Sequence, residues 1–258
     1  MLGTYIDALD WEATIGRILQ WAAARESRTV CLCNVHSAVT AVSSTDLRTA
    51  LGSSDMVLPD GAPIAWMLRR KGHERQTRLA GPDLMLRLCS ALEGTSIGVF
   101  LFGSSEETLR ALRHQLQQRF PRLTIMGASS PRYGEWTQAE EDRYVSQIRE
   151  SGAGIVFIGL GCPRQEIWMA KRSKDVPGVM IGVGAAFDFH AGTVKRAPEF
   201  MRKAGLEWLH RLGSEPRRLW RRYLTTNSRF IWLAARDLMG SGAEKKNDGG
   251  ITADREKP

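Results

Sequence analysis

Short apolar runs recur along the first three quarters of the chain, and most are separated by stretches long enough for a helix. Runs with the length and composition of buried strands lie at residues 29–33, 55–58, 97–102, 123–126, 154–159 and 178–183. Parallel strands need a crossover of a dozen or more residues, which is usually helical. The alternation therefore predicts the α/β class: a Rossmann-like, mostly parallel sheet with helices on both faces.

The intervening segments carry helix signals. Asp10 precedes an apolar series at helical spacing, which predicts a capped amphipathic helix near the start of the chain. Residues 104–120 place leucines on one helical face, and residues 137–150 open with Thr137 and Glu140 in capping-box register. These segments supply the helices that the parallel sheet requires.

The pattern changes after about Lys195, where strands stop and arginine and tryptophan accumulate. We predict a Rossmann-like domain that carries the chemistry over residues 1–195 and a basic helical C-terminal appendage over residues 196–239. Residues 240–258 contain scarcely any apolar side chain and cannot offset their ordering entropy by burial. They are expected to form a disordered tail.

Composition narrows the class of protein. Apolar residues make up 43% and charged residues 25%, which is typical of a globular protein. The longest apolar runs fall far short of the ~20 residues that cross a bilayer. The acidic residues Asp7, Asp10 and Glu12 interrupt any signal-peptide pattern, so a cytoplasmic location is expected. The four cysteines form no CxxC pair and are interpreted as buried thiols.

The net charge of +8 indicates an anionic partner, and residues 196–236 hold ten Lys or Arg against three acidic residues. Trp208, Trp220 and Trp232 lie among these charges, a composition typical of a helix at a membrane surface. An ordinary solvated helix surface is the plain alternative. Nucleic-acid binding is a further one, but no helix-turn-helix, zinc or RNA-binding signature is present.

Within the appendage, Arg211, Arg218 and Arg221 recur at spacings of seven and three residues. On a continuous helix they share one face, where their guanidinium groups could grip a diphosphate.

The loops that follow the strands are where a ligand binds in this kind of sheet. The loop LPDG places Asp60 after the second predicted strand, and Asn34 follows the first. Asp60 could act as a general base, with Asn34 orienting a hydroxyl. Alternatively, Asp60 makes an Asx-turn or caps the helix that starts near Ala62. His36 is a rival base, although a single histidine at a helix start is more often structural.

Three further loops carry polar groups and glycines. FLFGSS joins a strand to a helix at Gly103 and Ser104, GLGCPRQE follows a buried strand, and VGAAFDFHAG contains Asp188. Such loops allow close backbone approach to a phosphate or sugar. In GLGCPRQE the candidates are Gly159, Gly161, Arg164, Gln165 and Glu166.

Known signatures of nucleotide and metal sites are absent from the sequence. It contains no GxGxxG, P-loop or DxD pattern. We therefore expect no metal and no cofactor, with a diphosphate neutralised by helix termini and arginines.

The succession of LPDG, AGPDL, FLFGSS, GLGCPRQE, VGAAFDFHAGTVKRAPEF and GLEWLHRLGSEPRRLWRRYL resembles the WecG/TagA/CpsF glycosyltransferases, glycosyltransferase family 26, over residues 28–235. The resemblance implies an inverting, metal-independent transfer of a hexose-type sugar from a UDP-sugar to a polyprenyl-diphosphate-linked saccharide. The sugars implied are N-acetylmannosamine, its uronic acid or glucose. The pathways implied are exopolysaccharide, capsule or teichoic acid synthesis in the bacterial cell envelope.

The family pattern also implies roles for single residues. Asp60 falls on the proposed general base, and Asn34 and Gln165 fall on assisting residues. The appendage arginines Arg211, Arg218 and Arg221 fall on the group thought to engage the acceptor diphosphate at the membrane.

The sequence departs from the family pattern at Leu32, where a threonine is frequent, so any hydroxyl role there is lost. Tyr133 lies where family members carry an aromatic residue near the nucleotide, and it is predicted to stack on the base.

The expected partners are a UDP-sugar, a polyprenyl-diphosphate-linked acceptor and lipids at the inner-membrane surface. The location that follows is peripheral, on the inner face of the plasma membrane. Nucleic acid is not expected, and a homo-oligomer is possible. The alternative function is a non-catalytic, membrane-bound nucleotide-binding protein.

Overall fold

The computed structural model describes residues 1–214 and 216–244 and contains one six-stranded parallel sheet. The strand order is β2-β1-β6-β5-β3-β4, and every neighbouring pair is parallel. The predicted α/β fold with a parallel sheet is thereby confirmed. The strands are β1 (Arg28–Cys33), β2 (Met56–Pro59), β3 (Val99–Gly103), β4 (Ile125–Ser129), β5 (Ile155–Gly159) and β6 (Val179–Gly182).

Helices connect the strands and then form the C-terminal part of the chain. Those up to residue 191 are α1 (Trp11–Ala23), α2 (Val35–Ser43), α3 (Thr45–Ser53), α4 (Ala62–Arg70), α5 (Gly81–Leu92), α6 (Glu106–Arg119), α7 (Gln138–Ser151), α8 (Arg164–Arg172) and α9 (Ala186–Ala191). The appendage contains α10 (Glu199–Lys203), α11 (Glu207–Ser214) and α12 (Pro216–Glu244).

Polar caps start the helices where the sequence predicts them. The Asp10 side chain accepts a hydrogen bond from the Ala13 N–H at 2.8 Å and starts α1. Thr137 and Glu140 form the complete capping box of α7. Ser105 caps α6, so this helix begins two residues later than its predicted start. These side chains satisfy N–H groups that have no partner within a helix.

Two apolar layers cover the sheet, one on each face. The order of the strands reverses direction between β3 and β5. Leu112 of α6 belongs to the core on one face, and Met169 of α8 belongs to the core on the other face. The chain leaves β3 toward β4 and leaves β5 toward β6, in opposite directions along the sheet. The adjoining carboxyl ends of β3 and β5 are therefore a topological switch point, where α/β proteins bind ligands.

The appendage packs partly on residues 1–195, which we call the main domain. Phe230 and Ala234 of α12 are buried in the core on the α2 side of the sheet. Helix α12 extends to Glu244, so residues 240–244, assigned to the tail from the sequence, are helical. Residues 245–258 of that predicted tail lie outside the described residues. Among the helices described, none combines the length and apolar character needed to cross a membrane.

Candidate active site

Asp60 and Asn34 lie side by side at the carboxyl edge of the sheet. Cys33 and Pro59 are paired at the ends of β1 and β2, and the Asp60 N–H donates to the Cys33 carbonyl at 2.9 Å. The Asn34 amide Nδ2 donates to Asp60 Oδ2 at 3.3 Å. Asn34 Oδ1 accepts from the Ser37 N–H at 3.1 Å and so also caps α2. The cap fixes the orientation of the amide and points its donor at the carboxylate.

Asp60 does not serve as the cap of the following helix. Gly61 is the N-cap of α4, with φ of 90°, and no side chain makes a capping hydrogen bond there. The helix-cap interpretation of Asp60 is therefore wrong. Its carboxylate is instead engaged by Asn34, in a position suited to chemistry.

Burial raises the pKa of the Asp60 carboxyl from 3.8 to about 6. The hydrogen bond from Asn34 opposes this shift, and the negative charge of Glu207 adds to it. The positive charges of Arg78 and Arg211 lower the pKa. A carboxylate with a pKa near 6 is a stronger base than an ordinary aspartate and is still mostly ionised at neutral pH.

This pKa predicts an acid limit for catalysis. If Asp60 must be ionised to accept a proton, kcat/KM is expected to fall about tenfold per pH unit below about pH 6. The measurement is the pH dependence of kcat/KM for the acceptor. A rate that stays constant down to pH 5 would rule out Asp60 as the titrating base.

Two glycines bring β3 and β5 together at the switch point. Gly103 pairs with Gly159, and a Cβ atom on Gly103 would lie 2.6 Å from the Gly159 carbonyl carbon and oxygen. Ser104 follows with φ of 60°, and its hydroxyl donates to Asp188 Oδ1 at 3.5 Å. The backbones of β3 and β5 therefore approach each other closely just before α6 and α8 begin, near the N-terminus of α6.

Replacing Gly103 with Ala is expected to destabilise the fold. Gly103 has φ of 124°, and the added methyl group would overlap the Gly159 backbone. Overpacking costs about 1–3 kcal/mol, so the urea midpoint should fall. Gly16→Ala is the matched control, since a Cβ there meets nothing within 4 Å and Ala favours the helix α1. Equal urea midpoints for the two variants would show that a methyl group at position 103 does not overlap the Gly159 backbone.

A large open cleft of about 1720 Å³ lies beside β3, β4 and β5. Its lining includes four predicted nucleotide-sugar residues: Ser104, Tyr133, Gly159 and Arg164. Tyr133 is 98% exposed, so its ring is open to a base. The Arg164 guanidinium stacks 3.9 Å from the centre of the Trp136 ring and donates to the Gly134 carbonyl. Arg164 thereby holds the loop that carries Tyr133.

Gln165 and Glu166 lie beneath this cleft. Gln165 is 4% exposed and Glu166 is 1% exposed. The Gly161 N–H donates to Gln165 Oε1 at 3.2 Å, and Gln165 Nε2 donates to Glu166 Oε1 at 2.9 Å. Burial raises the pKa of Glu166. The two side chains therefore shape the Gly161 loop from below, and the carboxylate of Glu166 is turned away from the cleft.

The appendage brings Arg211 to the same edge of the sheet as Asp60. Its guanidinium lies 5.5 Å from the centre of the Phe189 ring on α9, and its charge acts on Asp60. Arg211 Nε is buried and has no hydrogen-bond partner among the described residues. The backbone of Arg218 and Arg221 belongs to α12, but their side chains lie outside what the structure describes.

The predicted residues thus fall into two groups along one edge. Asp60 follows β2, whereas the cleft follows β3, β4 and β5, and its lining includes neither Asp60 nor Asn34 among the described residues. Three strand spacings separate β2 from β5, which is about 15 Å. A ligand that uses both groups must be extended along the edge.

Sequence reasoning missed Arg78 and Glu207, which lie close enough to Asp60 to shift its pKa. Arg78 stands in the segment before α5 and Glu207 begins α11, so neither directly follows a strand. Reading only the loops after strands could not find them. Their opposite charges are the only sign in the sequence that they could pair, and the pairing itself is visible only in the folded chain.

Comparison with known proteins places the chain in a family. The sequence model of the glycosyl transferase WecG/TagA/CpsF family matches residues 1–244. An N-acetylglucosaminyldiphosphoundecaprenol N-acetyl-β-D-mannosaminyltransferase of Bacillus subtilis is 31% identical over 193 residues, which cover 74% of this chain and 73% of the relative. A Bacillus spizizenii protein of the same name is 32% identical over 176 residues, which cover 68% and 66%. The chain belongs to the WecG/TagA/CpsF family of glycosyl transferases.

Proposed function

We propose that this glycosyltransferase moves a hexose-type sugar, N-acetylmannosamine in the first instance, from a UDP-sugar to a polyprenyl-diphosphate-linked N-acetylglucosamine. The choice of sugar and acceptor rests on the names of the two Bacillus relatives. The observation that carries the reaction is Asp60, a carboxylate with raised pKa, oriented by Asn34 at the ligand-binding edge of the sheet. The product would serve the synthesis of a cell-surface polymer.

The proposed reaction is a single displacement. The acceptor hydroxyl oxygen attacks the anomeric carbon of the donor while Asp60 takes the hydroxyl proton. The bond between the anomeric carbon and the diphosphate oxygen breaks, and UDP leaves with both electrons of that bond. The sugar passes through a state with oxocarbenium character, and attack from the opposite face inverts its configuration.

The distance between Asp60 and the cleft supports a nucleotide-sugar as donor. A uridine bound near Tyr133 would leave the diphosphate to pass Ser104 and Gly159, which line the cleft. The sugar would then point along the edge toward Asp60. The N-terminus of α6 is suited to neutralise the departing diphosphate, and the guanidinium of Arg211, near Asp60, is suited to bind the diphosphate of the acceptor.

The experiment is a transfer assay with the full chain. UDP release is measured with a panel of UDP-sugars, each with and without an N-acetylglucosaminyl-diphospho-polyprenol acceptor. We expect acceptor-dependent UDP release that is fastest with UDP-N-acetylmannosamine. Nucleotide binding without turnover of any donor would instead support the alternative, a non-catalytic nucleotide-binding protein.

We also propose that α12 contacts the membrane surface that holds the acceptor. Trp220, Leu224 and Ile231 are 48%, 63% and 68% exposed and share one helical face. Phe230 and Ala234 are buried and pack on the main domain. The helix therefore exposes apolar side chains on one face, while an adjacent face with Phe230 and Ala234 is packed on the main domain, as an interfacial helix requires.

Placing a charge on this exposed apolar face should weaken membrane binding. Ile231→Asp is expected to reduce co-flotation with vesicles that contain phosphatidylglycerol, because the carboxylate resists transfer to the headgroup boundary and is repelled by anionic lipid. Ser228→Asp, at an exposed polar position of the same helix, is the matched control for added charge. If both variants float as well as the unmodified chain, this face of α12 is not the docking surface.

A further inference from the structure

We propose that Glu207 is a positioning residue: it fastens the appendage to the main domain and holds Arg211 beside Asp60. The proposal rests on the proposed function, since Arg211 is taken there as a ligand of diphosphate. Glu207 is an acidic residue in a basic segment. It supports acceptor binding by positioning Arg211 and does not itself contact the acceptor.

Glu207 lies between two arginines that approach it from different parts of the chain. Its Oε2 is 2.9 Å from Arg78 Nη1 on the main domain, and its Oε1 is 3.4 Å from Arg196 Nε. The three side chains are 16–21% exposed. Ion pairs shielded from water in this way are screened less by salt than surface pairs. Both carboxylate oxygens of Glu207 are thus committed to holding α11 in place.

The same cluster continues onto α5. Arg196 makes a bidentate pair with Asp83, with Nη1 to Oδ1 at 2.7 Å and Nη2 to Oδ2 at 2.8 Å. Arg202 of α10 approaches Asp83 Oδ1 at 3.6 Å. Residues 196, 202 and 207 of the chain beyond Lys195 are therefore tied to the main domain through Asp83 and Arg78. We call Arg78, Asp83, Arg196, Arg202 and Glu207 the ion-pair cluster.

Because Glu207 and Arg211 are on the same helix, the attachment of Glu207 also fixes the position of Arg211. Glu207 and Arg211 are four residues apart on α11 and so lie on one face of the helix. The turn before α11 is close to α4, because a Cβ on Gly205 would lie 2.8 Å from the Ala62 Cβ. Arg211 then rests against Phe189 with its Nε buried and without a hydrogen-bond partner among the described residues. A guanidinium held in this state is ready for an anionic ligand.

Glu207 also acts on the base directly. The charged groups with the largest effects on Asp60 are Glu207, which raises its pKa, and Arg78 and Arg211, which lower it. The buried thiol of Cys33 also lies within the field of Asp60. Neutralising Glu207 removes a negative charge and leaves Arg78 without its partner. Both changes lower the pKa of Asp60, whereas displacement of Arg211 removes a positive charge and raises it. The acid limit of kcat/KM in a Glu207→Gln variant should therefore lie at lower pH than in a variant that only displaces Arg211.

The experiment compares two variants of the full chain that remove one carboxylate charge each from the ion-pair cluster. Glu207→Gln is expected to raise the acceptor KM at least fivefold, to leave the donor KM within twofold, and to show an acid limit of kcat/KM at lower pH than Asp83→Asn. Asp83→Asn loosens the same attachment, but Asp83 is not among the groups with the largest effects on the pKa of Asp60. It should raise the acceptor KM, and displacement of Arg211 should move the acid limit to higher pH, not lower.

A third variant separates charge from folding. Glu207→Asp keeps the charge with a shorter reach, so its acid limit should lie at higher pH than that of Glu207→Gln. An unchanged acceptor KM in Glu207→Gln overturns the proposal. An acid limit that lies at the same pH in Glu207→Gln and Asp83→Asn also overturns it. An inactive unmodified chain would instead contradict the proposed function itself, so the two failures are distinguishable.

Discussion

Replacing Asp60 with Asn is expected to lower kcat by a factor of about 100 or more. The amide has nearly the shape of the carboxylate and can still accept the hydrogen bond from Asn34, which is 3.3 Å long in the unmodified protein. It cannot accept a proton from the acceptor hydroxyl. The KM values of donor and acceptor should change little, because the substitution leaves the surrounding side chains in place. Steady-state kinetics with both substrates give the result.

The stability of the same variant provides the control. The folded-state pKa of Asp60 is raised from 3.8 to about 6, so the folded protein favours the protonated carboxyl. That stabilisation is complete below the unfolded value of 3.8 and is lost as the pH rises through about 6. At neutral pH the ionised carboxylate is therefore a cost, and Asp60→Asn should raise Tm. An inactive variant with a lowered Tm would point to damaged folding rather than a lost base.

Replacing Arg211 with Ala is expected to raise the KM for the lipid acceptor by roughly 10- to 100-fold. A hydrogen bond to a charged group is worth about 1.5–3 kcal/mol, and the buried Nε of Arg211 has no partner among the described residues to replace the ligand. Loss of the positive charge also raises the pKa of Asp60. Acceptor titration at fixed donor, well above pH 7, measures the first effect without the second.

Arg217→Ala is the matched control for Arg211. Arg217 is an exposed arginine of the same appendage and is not among the charges that act on Asp60. Its removal should change the acceptor KM less than twofold. Similar effects from both variants would mean that the appendage contributes only its general positive charge.

The sequence was sufficient to predict the sheet and the edge at which Asp60 and Asn34 lie. Buried parallel strands are continuous apolar runs bounded by loops, so their positions are visible in the hydrophobic pattern alone. Asp60 and Asn34 follow neighbouring strands, and the structure joins them by a hydrogen bond. The family resemblance was confirmed by the match over residues 1–244.

Other features of the site depend on tertiary contacts that have no local signal. The burial of Glu166 follows from its place on the inner face of α8, and GLGCPRQE alone did not show which of its polar residues face the cleft. The roles of Arg78 and Glu207 arise from a contact across 129 positions of the chain. All the site assignments stay predictions, those of Asp60, Asn34 and Gln165 as much as those of Tyr133 and the appendage arginines.

The most direct test of the account is the anomeric configuration of the product. The full chain is incubated with α-linked UDP-N-acetylmannosamine and an N-acetylglucosaminyl-diphospho-polyprenol, and the new linkage is determined by NMR. A single displacement with Asp60 as base predicts a β-linked disaccharide, in agreement with the β linkage in the names of the Bacillus relatives. An α-linked product would contradict this mechanism.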